Sequence, residues 1–597
     1  VATDTIPRRF LSQAQARPDQ PACWVKSGGA WQPTTWRAYV AETRRVARAL
    51  MALGFAPGDK VCILGFNRPE WVIFDVAAMM AGGAPAGIYT TSSPEEVRYI
   101  VHHSEAPFVL VENEAQWRKI AAERANLPLL KKVVMMRGAP AIADPLVLSW
   151  DELLAAGDGV ADSALDERVD RLEPDGLATL IYTSGTTGPP KGVMLSHRNL
   201  AWTADQARGL VSGNNEDCSL SYLPLSHIAE QMFTVHVPIT TGGQVYFAES
   251  IEKVPDNLKE VQPTIVFAVP RIWEKFHAGV TAKLREAKGV KKRLVEWARG
   301  VGTRVSDLRN RGQEPTGLLA LQYAVARKLV FTKLKAALGL GRGRMLVSGA
   351  APVAQEILEF FGSLDLIVNE VYGQSEGTGP STFNRPGKTK FGSVGPPFPG
   401  DEVKIAPDGE ILVRGPNVFL GYYKEPAATA ETLIDGWLHS GDLGAFDEEG
   451  FLRITGRKKE IIITAGGKNI APKNIEAALK NHPLISEAVV IGDRRRFLSA
   501  LLTLDPDAVA RFITVEGGDG AAPHQHAGVR TALQTAVDEV NSRFARVEWV
   551  RKFTVLPRAF TIEHGELTPT LKVKRKVVDR NWAAEIEAMY AEATADE

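Results

Sequence analysis

Apolar residues recur at helical spacing over residues 41–53, and an unbroken apolar run, KVCILG, follows at 60–65. The first pattern predicts an amphipathic helix and the second a buried strand. Residues 67–80 read as another helix, and 106–112 (APFVLVE) and 132–136 (KVVMM) as two more strands. Similar short runs stand at 245–247, 264–269, 345–348 and 365–369. Helical stretches alternating with short buried strands predict an α/β architecture built on a mainly parallel sheet. The uncharged stretch 76–89 falls short of the roughly 20 apolar residues of a spanning helix. It carries Gly, Ala and Pro85 and predicts a core helix running into a strand.

The texture changes after about residue 391. Residues 402–406 and 410–414 flank Pro407-Asp408-Gly409, a turn signal, and predict a hairpin. Residues 443–446 and 451–455 predict a second one. A small β-rich subdomain is therefore expected over about 391–456. A further α/β unit begins near Arg457, with a helix at 472–481 and strands at 486–491 and 498–504. Residues 517–528 read as a loop. Its His524 and His526 are a candidate metal pair, weighed against plain loop.

Composition narrows the class. The chain has 597 residues, 45% hydrophobic and 23% charged, which describes a folded globular protein of several compact units. Seventy Lys and Arg balance seventy Asp and Glu, so net charge gives no reason to expect nucleic-acid binding. The balance is uneven along the chain. Residues 271–344 hold 18 Lys and Arg against 5 Asp and Glu, a net of +13, which leaves −13 elsewhere. Residues 283–308 and 318–338 read as basic amphipathic helices. They are either a solvated face or a surface that docks on anionic membrane. Cys23, Cys62 and Cys218 form no CxxC pair and suit a reducing, cytoplasmic setting. The first eleven residues carry Asp4, Arg8 and Arg9 and no apolar core, so no signal peptide is expected.

Candidate chemistry is densest at 180–195, LIYTSGTTGPPKGVML. A strand leads into Thr183, Ser184, Gly185, Thr186, Thr187 and Gly188, then two prolines and Lys191. Hydroxyls, glycine-freed backbone N–H groups and one lysine are what a loop needs to cradle a polyphosphate. A polar hairpin tip rarely collects four hydroxyls and a lysine between glycines. This is not a Walker A loop, because Pro190 precedes Lys191 and a strand, not a helix, follows it.

With this loop the sequence resembles the adenylate-forming enzymes: acyl-CoA synthetases, adenylation domains of peptide synthetases and beetle luciferases. Within them it is most similar to the long-chain fatty acyl-CoA synthetases. The resemblance spans essentially the whole chain through ordered motifs. It implies a large N-terminal AMP-binding domain over 1–456, made of two α/β subdomains and the β-rich one. A hinge at 457–459 and a small mobile α+β domain over 460–597 complete the expectation.

The resemblance also assigns residues. Gly349 and Ala350, in SGAAP, would form a small-residue slot for adenine. In NEVYGQSE, Glu370, Val371 and Gly373 flank Tyr372, the adenine-stacking aromatic. Ser375 would lie near the α-phosphate, and Glu376, with Thr183, would hold Mg²⁺. Asp442 would accept both ribose hydroxyls. Arg457 would meet ribose or phosphate, and Lys459 would be the pivot. Gly466 and Gly467 would flank the pantetheine of CoA. In GELTPTLKVKRK the late lysine falls on Lys574, with Lys572 a minor rival.

The implied reaction uses ATP, Mg²⁺ and CoA: a carboxylate attacks the α-phosphate, pyrophosphate leaves, and a thiol then displaces AMP. His227, in YLPLSHIAEQ, would line the acyl pocket. That segment and the long basic-helical insertion favour a long-chain fatty acid over acetate. Two alternatives stay on the same scaffold: a fatty acyl-AMP ligase feeding a carrier protein, and a luciferase-like monooxygenase. A non-enzymatic membrane-binding module is the third.

Overall fold

The computed structural model describes residues 4–183, 189–466, 468–517, 520–568 and 571–591. It is a mixed α/β protein, as the alternating pattern predicts. Its largest sheet has eight strands in the order Gly421–Tyr422, Lys191–Ser196, Leu177–Thr183, Ala84–Ile88, Lys60–Leu64, Phe108–Val111, Lys132–Met135 and Val147–Leu148. From Leu177–Thr183 onward every pairing is parallel. The central strands are buried on both faces, which is why they read as continuous apolar runs. Helix Pro69–Met80 is buried nearly all round and has no polar side to show.

Two further sheets have four strands each. One is Cys218–Ser221, Gln244–Phe247, Pro21–Ser27 and Ala30–Thr35. The other is Ile265–Ala268, Met345–Ser348, Val368–Gln374 and Gly379–Phe383. The hairpins expected after residue 391 form a five-stranded antiparallel sheet that includes Glu402–Ile405, Glu410–Arg414, Trp437–Phe446 and Leu452–Arg457. The C-terminal unit is a three-stranded sheet, Ile485–Ile491, Leu498–Leu504 and Val550–Val555, with its own apolar core.

Some expectations shift. The strand predicted at 365–369 starts at Val368, because Asp365 takes a left-handed turn (φ 62°) and accepts from Arg309 and Tyr323. The basic helix predicted at 283–308 is broken. Helix Pro270–Arg285 ends, and Gly289–Asn310 begins at a glycine with φ 56° that a side chain would strain. The second basic helix runs as Gly317–Ala326, a π turn at Arg327–Phe331 and Thr332–Ala337. His526 caps helix Ala527–Asn541 through its Nδ1 and bonds the Gly517 carbonyl through Nε2. Among the described residues no cluster of His, Cys, Asp and Glu could hold a metal by itself.

Candidate active site

The two strands that flank the phosphate-loop motif, Leu177–Thr183 and Lys191–Ser196, pair antiparallel. Thr183 and Lys191 face each other where the two strands end, and Ser196 then caps helix His197–Val211. Ser184, Gly185, Thr186, Thr187 and Gly188 lie outside the described residues. The Lys191 ammonium sits 5.0 Å from the centre of the Tyr422 ring. The Tyr422 hydroxyl donates to Glu376 Oε1 at 2.7 Å. One tyrosine thus links the loop lysine to the carboxylate expected at the metal. It comes from the two-residue strand Gly421–Tyr422, paired to the strand that carries Lys191.

Strand Val368–Gln374 carries the segment expected to meet adenine. Gly349 packs on it so closely that a Cβ there would meet Val371 Cγ1 at 2.6 Å. Ala350 follows in the left-handed region, φ 69°. At Gly373 a Cβ would fall 1.7 Å from the Gly379 carbonyl oxygen, so only glycine fits. Burial pushes the Glu370 carboxyl up to about 8, although the Gly392 N–H donates to it. Ser375 and Glu376 form the turn that ends the strand, and Ser375 is buried.

The Tyr372 hydroxyl donates to Asp442 Oδ2 at 2.9 Å. Asp442 faces Arg457 across the strand pair, with Arg457 Nε 3.3 Å from Oδ1. Burial raises the Asp442 carboxyl, and the Arg457 charge opposes that rise. Beyond Arg457 the chain makes the short turn Lys458–Glu460. Lys458 is anchored to Asp408 at 2.6 Å and Glu410 at 3.1 Å, whereas Lys459 is exposed and has no ion pair among the described residues. Glu410 also accepts the Gly441 N–H beside Asp442, so one buried carboxylate braces both the Asp442 turn and the Lys458 turn. Gly466 is exposed, with open space where a Cβ would stand, and Gly467 lies outside the described residues.

The two lysines near the C-terminus part company. Lys574 sits at the cap of helix Arg575–Asn581, its N–H bonded to the Glu566 carbonyl. Lys572 reaches the site. It is an exposed residue whose charge lies within reach of Asp442 and Arg457. Its pKa is lowered first by desolvation and then by the Arg457 and Lys473 charges, against the pull of Asp442 and Glu460. It is also felt by His227, which burial and the Lys572 charge depress to about 4. His227 is therefore neutral at pH 7. Its Nδ1 accepts the Ala229 N–H at 3.2 Å, starting the short helix Ile228–Gln231.

The structure thus gathers Tyr372, Asp442, Arg457, Lys572 and His227 into one group, and Glu376, Tyr422 and Lys191 into another. Tyr422 and Glu410 escaped the sequence reading. Each acts through a partner more than 30 residues away, and no local pattern marks it. Tyr422→Phe keeps the ring under Lys191 and removes the bond to Glu376. It is expected to raise the Mg²⁺ concentration for half-maximal activity about tenfold, with recovery at high Mg²⁺. Titrating Mg²⁺ in a pyrophosphate-release assay measures it; an unchanged Mg²⁺ curve would separate Tyr422 from any metal held by Glu376.

A site of this composition on a mixed α/β scaffold, followed by a smaller C-terminal unit, is that of an adenylate-forming enzyme. The chain belongs to the AMP-binding enzyme family, which matches residues 10–423, and the AMP-binding enzyme C-terminal domain matches residues 459–594. It is 39% identical to the long-chain-fatty-acid–CoA ligase ACSBG2 of Xenopus laevis, over 99% of this chain and 84% of that protein. It is 40% identical to the long-chain-fatty-acid–CoA ligase FadD15 of Mycobacterium bovis, over 94% and 93%. Among solved structures, it shares its fold with the A domain of a carboxylic acid reductase from Segniliparus rugosus in complex with AMP and a carboxylic acid. That match has a TM-score of 0.74 at 21% identity, covering 99% of this chain and 94% of that one.

Proposed function

We propose that the protein activates a long-chain fatty acid with ATP, releasing pyrophosphate, and transfers the acyl group to CoA with release of AMP. The observation that carries this reading is the convergence of Tyr372, Asp442, Arg457 and Lys572 in one cleft. Near-full-length identity to long-chain-fatty-acid–CoA ligases supports the substrate class.

The first step brings an anionic carboxylate to an anionic phosphate, so it needs fixed positive charge. Lys191, Lys572 and Arg457 supply it from three different segments. Asp442 would accept the ribose hydroxyls, and Tyr372, held by its bond to Asp442, would present its ring to adenine. Glu376 fits a Mg²⁺ ligand. Its Oε1 is oriented by Tyr422, and its Oε2 has no partner among the described residues. A magnesium ion on a nucleotide keeps several waters and needs only one or two protein carboxylates. Thr183, at the end of its strand, is the second candidate ligand. When bound, the ion would neutralise phosphate charge.

The second step needs Lys572 withdrawn and a thiol admitted. Rotation of residues 460–597 about Lys459 would do both. The contacts across the cleft include two partly exposed ion pairs, Arg271–Asp505 at 3.4 Å and Arg543–Glu356 at 2.8 Å, which such a rotation would break at small cost. The three buried free thiols fit a reducing compartment, and a cytoplasmic location with peripheral membrane contact belongs to this reading. Among the described residues no helix is long and apolar enough to cross a membrane.

Pyrophosphate release measured across fatty acids of increasing length, with and without CoA, tests the proposal. Long chains should be used at least tenfold better than acetate, with CoA thioester as product. Acetate preferred over long chains would overturn the substrate class. Adenylate formed without thioester would favour a ligase that delivers to a carrier protein.

A further inference from the structure

The +13 segment does more than carry charge. Among the described residues fourteen large hydrophobic side chains are exposed, and six of them fall between residues 290 and 329. Four lie on one continuous helix: Leu318, Leu321, Val325 and Leu329, between 42% and 70% exposed. Their spacing of three, four and four puts them in a single stripe along the helix axis. The opposite side of this helix is already used. Tyr323, Ala326, Val330 and Phe331 pack on Ala298, Val301 and Val305 of helix Gly289–Asn310. The apolar stripe therefore faces away from the protein's own core.

Charge surrounds the stripe. Lys328 and Lys333 on the same helix, and Lys291 and Arg293 at the start of Gly289–Asn310, are exposed and have no ion pair among the described residues. Where the segment meets the protein, its cations are neutralised: Arg309 and Lys335 both pair with the buried Asp365. The hairpin is thus tied down at its inner side and left cationic and apolar at its outer side.

We propose that the helix spanning Gly317–Ala326 and its continuation to Ala337 docks this protein on an anionic lipid surface. Leu318, Leu321, Val325 and Leu329 enter the acyl boundary, and Lys328, Lys333, Lys291 and Arg293 lie against acidic headgroups. The occupant is a membrane because the exposed surface couples an apolar stripe to unpaired cations, the two contacts an anionic leaflet offers at once. The inference deepens the ligase reading, since a long-chain fatty acid partitions into bilayers, and it rests on that reading only for its purpose.

The test is co-sedimentation of the full chain with vesicles of phosphatidylcholine, alone or mixed with phosphatidylglycerol. The unaltered protein should bind the mixed vesicles at least about tenfold more tightly than the neutral ones, and less tightly as salt rises. The doubly substituted Leu321→Ser, Val325→Ser chain should lose about tenfold or more of that binding, with its melting temperature unchanged because both side chains face water. Its pyrophosphate release with a water-soluble medium-chain fatty acid should match the unaltered protein, while its rate with vesicle-held fatty acid falls. Equal binding to both vesicle types, or full binding by the double variant, would overturn the proposal. So would a concentration-dependent dimer abolished by the same substitutions, which would assign the stripe to a second copy of this chain. Vesicle binding without pyrophosphate release from any fatty acid would retire the ligase reading and leave the docking surface standing.

Discussion

Lys572→Ala is expected to slow pyrophosphate release about 10²–10³-fold, the range for removing one preorganised group that stabilises developing charge. Lys574→Ala should stay within about tenfold of the unaltered chain, a step of about 1.4 kcal/mol in barrier. The resemblance puts the late lysine on Lys574, whereas in the folded chain it is the Lys572 charge that reaches Asp442 and His227. Asp442, Arg457 and His227 all register the Lys572 charge or lie in its field, whereas Lys574 occupies a helix cap. The two variants must be compared in the adenylate half-reaction, where the resemblance implies the lysine's role, and not only in the overall assay. A larger loss in Lys574→Ala would return the role to that residue.

Lys572 also predicts a pH profile. Desolvation and two neighbouring cations lower its pKa, so its charge is lost at a lower pH than that of an ordinary lysine near 10.4. The active form is the charged one, and the rate should therefore fall on the alkaline side as pH rises through the lowered pKa. Lys572→Arg, whose charge persists, should remove that alkaline limb even if its maximum rate is lower.

Glu376→Gln is expected to cut pyrophosphate release about 10²-fold and to raise the Mg²⁺ requirement at least tenfold. The amide keeps the size and can still accept from Tyr422, so folding is preserved. It removes the negative charge that a hard cation needs. Binding of ATP measured without divalent metal should be little changed, which separates a metal ligand from a nucleotide contact. Unchanged Mg²⁺ dependence in this variant would remove Glu376 from the metal site.

Much of the fold was legible locally. The central strands are buried on both faces and read as apolar runs, and the hairpins after residue 391 are announced by Pro407-Asp408-Gly409. Helix and strand periods fail where a turn intervenes. Asp365 looks like the start of a strand, yet it is held in a turn by Arg309 and Tyr323. The break between Arg285 and Gly289 is hidden because the basic pattern continues across it.

The sequence by itself determined the α/β class, the ordered motifs that mark the family and the uneven charge behind a net of zero. These depend on period, on residue type and on close spacing, all of which a linear chain displays. Only the tertiary structure brought the Lys572 charge to Asp442 and Arg457, joined Lys191 to Glu376 through Tyr422, and left the outer stripe of Leu318, Leu321, Val325 and Leu329 uncovered. Each of those turns on contacts between segments far apart in sequence, or on which side of a helix the core claims, and neither is written in any one stretch of the chain.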